Sequence, residues 1–153
     1  MESLGKKFEK RFETDWVRCF PTSYLKRLYD QVSGYKTVSR NECDYISYVN
    51  GKLYLIELKT VKGNTFPFSN LRQYDLLLKQ AGKEGIVPCV IIWFYDRDTV
   101  LFVPVTVCRD MISEGKKSIR FDDFAKNESI ISIPSKKIRT FMESDYTKVT
   151  GCK

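Results

Sequence analysis

The sequence predicts an α/β domain in which a mixed central sheet is flanked by helices. Helix-forming and strand-forming segments alternate along the chain, the turn pair Asn50-Gly51 marks a β-hairpin, and residues 86–95 form a continuous apolar run typical of an interior strand. Of the 153 residues, 42% are hydrophobic and 14% aromatic, which is enough for a buried core. We therefore expect one domain over residues 1–153, with its core at about 4–133 and a C-terminal tail at about 134–153.

The first half of the chain is predicted to contain a long helix and the hairpin. The helix spans Leu4–Cys19, because large apolar side chains recur at every fourth position and Pro21 follows its end. Apolar side chains of residues 24–29 also lie at helical spacing, and the structure of this segment is left open. The hairpin strands, rich in Ile, Leu, Val and Tyr, are expected at residues 42–49 and 52–60.

The second half is predicted to add one more covering helix and the rest of the sheet. Ser69 is expected to cap a helix over residues 70–81, which Gly82 ends. Little periodicity follows Pro134, and we expect the last residues to be disordered. The other expected elements are strands at 86–95 and 99–103, a helix at 106–114, and short strands or extended edges at 118–120 and 129–133.

The composition excludes several kinds of chemistry. The chain has no histidine, which excludes Ser-His-Asp and Cys-His catalysis, an imidazole base, and zinc sites that need histidine. Any hydrolysis must therefore use carboxylates, lysine, tyrosine or metal-bound water. The 26 Lys+Arg exceed the 19 Asp+Glu by a net charge of +7, which favours a polyanionic partner.

Cysteine usage and hydropathy bear on the compartment. The five cysteines are odd in number and form no C-x-x-C pair, so reduced thiols are expected rather than a disulfide framework or a zinc ribbon. The N-terminal residues include no apolar signal region, and no segment approaches the ~20 apolar residues of a membrane span. We therefore expect a cytoplasmic protein that does not bind membranes.

Three ionisable residues, Asp44, Glu57 and Lys59, lie at one end of the predicted hairpin. If the turn is a two-residue loop, Asp44 lies directly opposite Glu57, with Cβ atoms ~4.5–5.5 Å apart on one face. Two such carboxylates can bind one divalent cation, and Lys59 projects from the same face. Alternatively, Lys59 pairs with Glu42 while Asp44 faces water, or a bulge at the turn places the two acids on opposite faces.

Several motifs around these residues point to one family. Asp44 and Glu57-Leu58-Lys59 match the D…E-x-K signature of the PD-(D/E)XK nucleases. The set as a whole, which covers residues 5 to about 104, resembles RecU-type Holliday junction resolvases, especially the short RecU-like proteins of phages. The motifs are Gly5-x-x-Phe8-Glu9, Cys43-Asp44-Tyr45, Glu57-Leu58-Lys59-Thr60 and Phe66-Pro67-Phe68-Ser69-Asn70.

The resemblance implies a restriction-endonuclease-like core and a Mg²⁺-dependent endonuclease that resolves four-way DNA junctions in recombination, repair or phage DNA processing. Asp44, Glu57 and the Leu58 carbonyl would hold Mg²⁺, for which Mn²⁺ would substitute, and Glu9 is a further candidate ligand. Lys59 would orient the attacking water or stabilise the transition state. Branched DNA and a second copy of the chain, in a homodimer, are the implied partners.

Basic residues that flank these motifs are candidate phosphate contacts. The family usually carries a His-Gln pair on the helix after the Phe-Pro motif, and here accessory roles would pass to Gln73 and Asp75. No obvious counterpart of the long RecU stalk precedes the hairpin. Two other functions stay open: a different structure- or sequence-specific endonuclease of the same fold, and a non-catalytic nucleic-acid-binding module. The candidate phosphate contacts are Lys6, Lys10, Arg27, Arg40, Lys62 and Arg72.

Overall fold

The computed structural model describes residues 2–29, 31–33, 36–39 and 41–151. No helix in these ranges is long and apolar enough to cross a membrane. The helices are α1 (Leu4–Cys19), α2 (Tyr74–Gln80), α3 (Val105–Ser113) and α4 (Thr147–Gly151). The strands are β1 (Tyr24–Arg27), β2 (Gln31–Ser33), β3 (Lys36–Ser39), β4 (Tyr45–Val49), β5 (Lys52–Val61), β6 (Thr65–Pro67), β7 (Ile86–Phe94), β8 (Thr99–Pro104), β9 (Ser118–Arg120), β10 (Ile131–Ser132), β11 (Ser135–Ile138) and β12 (Phe141–Ser144).

A six-stranded mixed sheet with the order β1-β4-β5-β7-β8-β10 forms the centre of the molecule. Strands β5 and β7 run parallel, and the other neighbours in this sheet pair antiparallel. The pairs β2–β3, β6–β9 and β11–β12 form separate two-stranded sheets. The α/β fold with a mixed central sheet and flanking helices is thereby confirmed.

The hairpin of β4 and β5 forms with the predicted register. Asn50 and Gly51 both have positive φ, 52° and 78°, which is the backbone that a two-residue hairpin turn with matching strand twist requires. The register pairs Val49 with Lys52 next to the turn and reaches Tyr45 opposite Ile56. No bulge intervenes at the turn, so alternate residues keep the faces expected for them.

One face of the sheet, here called the α1 face, is covered by the first helix. Phe8, Phe12 and Trp16 recur along one side of α1 and are buried against Tyr45, which projects from β4. The Trp16 indole Nε1 donates a 2.8 Å hydrogen bond to the hydroxyl of Ser47, so the polar atom of this large ring is satisfied inside the core.

The opposite face, here called the α2 face, is covered by α2 and α3. Both helices are short, and each presents buried apolar side chains, such as Leu77 of α2 and Met111 of α3. They pack over the inner strands of the sheet and leave its β1 and β4 side less covered. The buried sheet residues of this core are Leu55, Val90, Ile92, Phe94, Leu101 and Val103.

The helix expected over residues 70–81 is shorter and starts later. Ser69 does not cap it but lies in a 3-10 turn, Phe68–Asn70, and α2 begins only at Tyr74. Leu71 explains the difference, because its side chain is buried and its N–H donates to the Phe68 carbonyl at 2.9 Å. That 3-10 hydrogen bond and the turn after it take the place of the first helical turn.

Two further segments remain: one whose structure the sequence left open, and one expected as a tail. Residues 24–27 form the edge strand β1, antiparallel to β4, despite their helical spacing of apolar residues. Residues 135–151, expected as a tail with disordered last residues, form a β-hairpin and α4. Strand β12 packs on α1: the buried carboxylate of Asp15 accepts a 2.9 Å hydrogen bond from Ser144 N, and Tyr146 is buried against the aromatic rings of α1. Met142 and Val149 are buried in the same core, so the attachment combines main-chain hydrogen bonds with buried side chains.

Candidate active site

Asp44 directly precedes β4, where the regular pairing with β5 ends. Its main-chain N–H donates to the Ile56 carbonyl at 3.0 Å. One step further along β5, the side chain replaces the backbone as the partner, because Oδ2 accepts a 2.9 Å hydrogen bond from Leu58 N. The carboxylate is thus fixed against β5 at the level of Glu57. The position of the Asp44 carboxylate is therefore set by a hydrogen bond from the main chain of β5.

Glu57 is an acidic residue in the middle of a central strand, and it is only 2% exposed. Burial, followed by the nearby negative charge of Asp44, raises the pKa of Glu57 from 4.5 to about 8. The two carboxyl groups are close enough to hydrogen-bond, and Glu57 Oε1 is buried with no hydrogen-bond partner. Two adjacent carboxyls of this kind share a proton or a cation, since two bare charges in such a site repel.

Lys59 lies two residues further along β5 on the same face. Its ammonium is 3.3 Å from Glu57 Oε2, and this contact favours ionised Glu57 without offsetting burial. The ion pair is therefore formed with Glu57 and not with Glu42, the alternative that the spacing left open. The Lys59 side chain is about one quarter exposed, so its ammonium contacts Glu57 and is also accessible from solvent.

The donor set suits a hard divalent cation. Asp44 and Glu57 supply carboxylate oxygens, one of which has no other partner, and Leu58, the residue after Glu57 on β5, supplies its carbonyl as a third candidate oxygen. Across the described ranges, no three histidine, cysteine, aspartate or glutamate side chains are grouped to hold a metal. Mg²⁺ is commonly bound through one or two carboxylates with water completing the shell, so a two-carboxylate site fits this ion.

Glu9 is not brought together with that pair. Its Oε2 accepts a 2.5 Å hydrogen bond from Arg27 Nη1, which also donates to the Tyr45 hydroxyl at 3.2 Å. The Tyr45 hydroxyl in turn donates to Glu13 Oε1 at 2.6 Å. This network lies on the α1 face, whereas Glu57 projects from the α2 face.

Sequence reasoning missed the part that Glu13 and Tyr45 play in this network. A signal was available in the sequence, because Glu9 and Glu13 are spaced four residues apart on α1 and each directly follows an apolar residue of the buried stripe. That spacing places both acids at one border of the helix–sheet interface. The spacing does not reveal the partners of the two acids. These are Arg27 and Tyr45, which become neighbours only when β1 pairs with β4.

The candidate phosphate contacts are spread over the molecule. Lys6 and Lys10 are exposed on α1, where the Lys10 ammonium pairs with Glu2 at 2.5 Å. Arg27 is half-buried and held by Glu9. Arg40 lies outside the described residues. The remaining two, Lys62 after the end of β5 and Arg72 before α2, are exposed.

The accessory candidates lie at the start of α2. Gln73 occupies the N-cap position without making a side-chain cap, and its Oε1 is buried with no hydrogen-bond partner. Asp75 is exposed in the first turn. Within the described part of the chain, no hydrogen bond or ion pair joins either residue to the acid pair of β4 and β5.

The mixed sheet with two acids and a lysine on adjacent strands is the arrangement of a PD-(D/E)XK nuclease core. The chain belongs to the RecU family: the family profile described as Recombination protein U matches residues 18–144. The resemblance drawn from the sequence motifs is thereby confirmed.

Comparison with individual proteins adds little to the family match. Among solved structures, the chain is similar to Archaeoglobus fulgidus Hjc, described as a Holliday junction resolvase from an archaeal hyperthermophile. The TM-score is 0.49 at 21% sequence identity, over 76% of this chain and 86% of that one. No curated protein sequence matches the chain.

Proposed function

We propose that the protein is a Mg²⁺-dependent DNA endonuclease that resolves four-way junctions, with Mn²⁺ able to replace Mg²⁺. One observation carries the catalytic part of the proposal: Glu57 is buried beside Asp44 with an oxygen that has no partner. A buried carboxyl pair of this kind is costly unless a cation or a proton joins it. Membership of the RecU family suggests the branched substrate.

Asp44, Glu57 and the Leu58 carbonyl would hold the metal. When bound, a divalent ion supplies a Lewis acid that activates water and offsets the charge of the phosphodiester. Asp44 is oriented for this role by its hydrogen bond from Leu58 N, which fixes the carboxylate before any ligand arrives. Glu57 must lose its proton on ligation, so the raised pKa links ligand binding to pH.

Lys59 contributes the positive charge that the phosphate needs. With one side engaged by Glu57 Oε2 and the rest accessible, its ammonium can contact a phosphate oxygen and stabilise the negative charge that develops during hydrolysis. The same ammonium can orient the attacking water. These roles require no imidazole, in agreement with a sequence that lacks histidine.

The remaining assignments complete the proposal. The whole chain would form a single nuclease domain acting on branched DNA in the cytoplasm of a bacterial or phage-infected cell. Two cuts in a symmetric junction require two sites, which a homodimer supplies. Glu9 would hold α1 against β1 rather than ligate the ion directly, because Arg27 binds its carboxylate on the α1 face. Phosphate contacts are proposed for Lys6, Lys10, Arg27, Arg40, Lys62 and Arg72, and accessory roles for Gln73 and Asp75.

Cleavage of a four-way junction tests this proposal. With Mg²⁺, the wild-type protein should cut the junction, and Glu57→Gln and Lys59→Met should each cut at least about 100-fold more slowly while still binding it. Glu128→Gln is the matched control, because it removes an exposed carboxylate at the opposite edge of the sheet. Chelation with EDTA should stop the wild-type reaction.

The other outcomes separate the alternatives. Equal cutting of the junction and of a linear duplex of the same sequence would favour a structure-tolerant endonuclease of the same fold. Binding without cutting in Mg²⁺ or Mn²⁺ would favour a non-catalytic binding module. Undiminished cutting by both Glu57→Gln and Lys59→Met would contradict the assignment of the active site.

A further inference from the structure

Two exposed tyrosines lie side by side on the α2 face, on a part of that face that no helix of the described residues covers. Tyr24 of β1 and Tyr48 of β4 are cross-strand partners, and they are 56% and 55% exposed. Directly paired residues project from the same face, and the next residue in this row, Leu53 of β5, packs against the core beneath α2. The row thus runs from a covered strand to an open edge.

The open part of this face lies on the same side of the sheet as the acid pair. Lys26 is exposed and pairs with Ile46, which pairs in turn with Leu55, one row nearer to Glu57. Along β4, Tyr48 comes four residues after Asp44, a distance of about 13 Å at the ~3.3 Å rise of a strand. A duplex rises 3.4 Å per base, so this distance corresponds to about four base steps, and to fewer in an extended strand.

We propose that Tyr24, Lys26 and Tyr48, here called the tyrosine shelf, form a nucleic-acid-binding surface on which an unpaired base of the DNA stacks next to the cleavage site. This inference rests on the proposed function for its location and extends it to strand separation beside the cut. Stacking on aromatic rings is tolerant of base identity, and Lys26, one row from the rings on the same face, neutralises the phosphate that accompanies the base.

A nucleic acid explains the shelf better than a second copy of this chain. The two half-exposed rings present an apolar area on the order of 200 Å², far below the ~800 Å² per partner of a stable protein interface. In a symmetric dimer formed through this face, Lys26 would lie near its own symmetry mate. Two copies of a chain with a net charge of +7 also repel each other. The same charge attracts DNA, and the shelf adjoins the site at which DNA would be cut.

Binding to single-stranded DNA tests the shelf independently of cleavage. The probes are a mixed-sequence oligonucleotide and a four-way junction carrying 2-aminopurine at successive positions around the branch. Tyr24→Ala and Tyr48→Ala should each weaken affinity about tenfold, whereas Tyr24→Phe and Tyr48→Phe should stay within about twofold because the ring is kept. At one 2-aminopurine position, the fluorescence change on binding should be lost in the Ala variants only.

Salt dependence separates stacking from charge. Lys26→Ala should lower the slope of log affinity against log salt by about one, while the tyrosine variants should shift affinity and leave that slope unchanged. Phe124→Ala is the matched control, since it removes a 39% exposed aromatic ring in the segment between β9 and β10, far from the shelf, and should bind like wild type. The thermal midpoint of each variant is measured alongside.

The proposal is overturned if the Ala variants bind both probes like wild type, or if they instead lose self-association in sedimentation, which would make the shelf a contact between copies. Failure of the proposed function looks different. A wild-type protein that does not cut junctions, but whose single-strand affinity depends on both rings, would refute junction resolution and support the shelf.

Discussion

Asp44 and Glu57 bring two carboxyl groups within hydrogen-bonding reach of each other, although one precedes its strand and the other lies in the middle of the neighbouring strand. The contact is possible because Asp44 leaves the regular pairing and uses its carboxylate to accept from Leu58 N. An acid pair in a buried strand opposes folding whenever both acids are charged. The stability of the protein should therefore report on this pair.

Replacement of Glu57 by Gln should stabilise the metal-free protein at high pH. The folded-state pKa of about 8 exceeds the ordinary 4.5, so the folded chain binds more protons than the unfolded chain between these values, and its free energy of unfolding falls as pH rises through this window. Glu57→Gln keeps a hydrogen-bond donor towards Asp44 and has no proton to lose. At pH 9 we expect a gain on the order of 2–4 kcal/mol, and at pH 4.5 almost none.

Urea unfolding of both proteins in EDTA, at several pH values, measures this difference. Glu128→Gln should follow the wild-type curve, because that carboxylate is exposed. A gain for Glu57→Gln that is the same at pH 4.5 and pH 9 would show that Glu57 is not protonated in the folded protein near neutrality.

Divalent cations should stabilise the wild-type protein, and more strongly as pH rises towards 8. Ligation requires deprotonated Glu57, so the apparent affinity should increase by up to about tenfold per pH unit below its pKa. At a cation concentration 100 times the dissociation constant the gain is about 2.7 kcal/mol. Thermal unfolding in Mn²⁺, followed by EDTA, measures the effect. Asp44→Asn should abolish it, and equal stabilisation of that variant would place the cation elsewhere.

Removal of the Asp15 carboxylate should release the C-terminal hairpin from α1. Asp15 is buried and accepts from Ser144 N at 2.9 Å and from Arg18 Nη1 at 2.9 Å, so Asp15→Ala leaves a main-chain N–H and a guanidinium without their acceptor. We expect a loss of about 3 kcal/mol, and a smaller loss for Asp15→Asn, which retains an acceptor oxygen. Limited proteolysis should cut the Asp15→Ala variant within residues 135–151.

The control for Asp15 is Glu143→Gln. Glu143 contacts Arg11 at 3.3 Å with its side chain 40% exposed, so its loss should cost less than about 1 kcal/mol. Equal losses for Asp15→Ala and Glu143→Gln would mean that charge balance at the surface, and not the buried hydrogen bonds, holds the hairpin in place.

A substitution at the hairpin turn should cost stability through the backbone alone. Gly51 has a φ of 78°, and an added Cβ would meet no atom within 4 Å, so Gly51→Ala introduces backbone strain without a clash. We expect a loss of about 1 kcal/mol. Gly5→Ala is the matched control, because Gly5 lies inside α1 and has room for a Cβ; it should be neutral or stabilising. Denaturant midpoints of the two variants compare them directly, and equal midpoints would argue against the turn strain.

The elements that could be predicted from sequence are those with local causes. Helix α1 follows from its four-residue apolar repeat. The register of β4 with β5 follows from the turn, because the two residues Asn50 and Gly51 are enough to fix it. That register is also why Asp44, Glu57 and Lys59 could be grouped in advance. The rest depends on contacts between distant parts of the chain, as the late start of α2 at the buried Leu71 illustrates.

Glu9 and the C-terminal segment show the limit most clearly. Motif spacing identified Glu9 as a candidate for the site, but its actual partner is set by Arg27 on an edge strand whose apolar residues lie at helical spacing. The segment after Pro134 shows little apolar periodicity, and it is held on α1 by Asp15 and main-chain groups of β12 as well as by buried side chains such as Met142 and Tyr146. These hydrogen bonds depend on the folded geometry, and they leave no signal in the hydropathy of the sequence.

The attachment of the C-terminal segment to α1 also governs the order in which the protein can mature during synthesis. Phe12 and Trp16 are synthesised about 130 residues before Tyr146, which contacts both rings. Until Tyr146 has been synthesised, these rings lack part of their cover, so the packing of the first helix stays incomplete. A chain halted before residue 135 would therefore carry a complete acid pair on a body that still exposes an aromatic surface to chaperones and proteases.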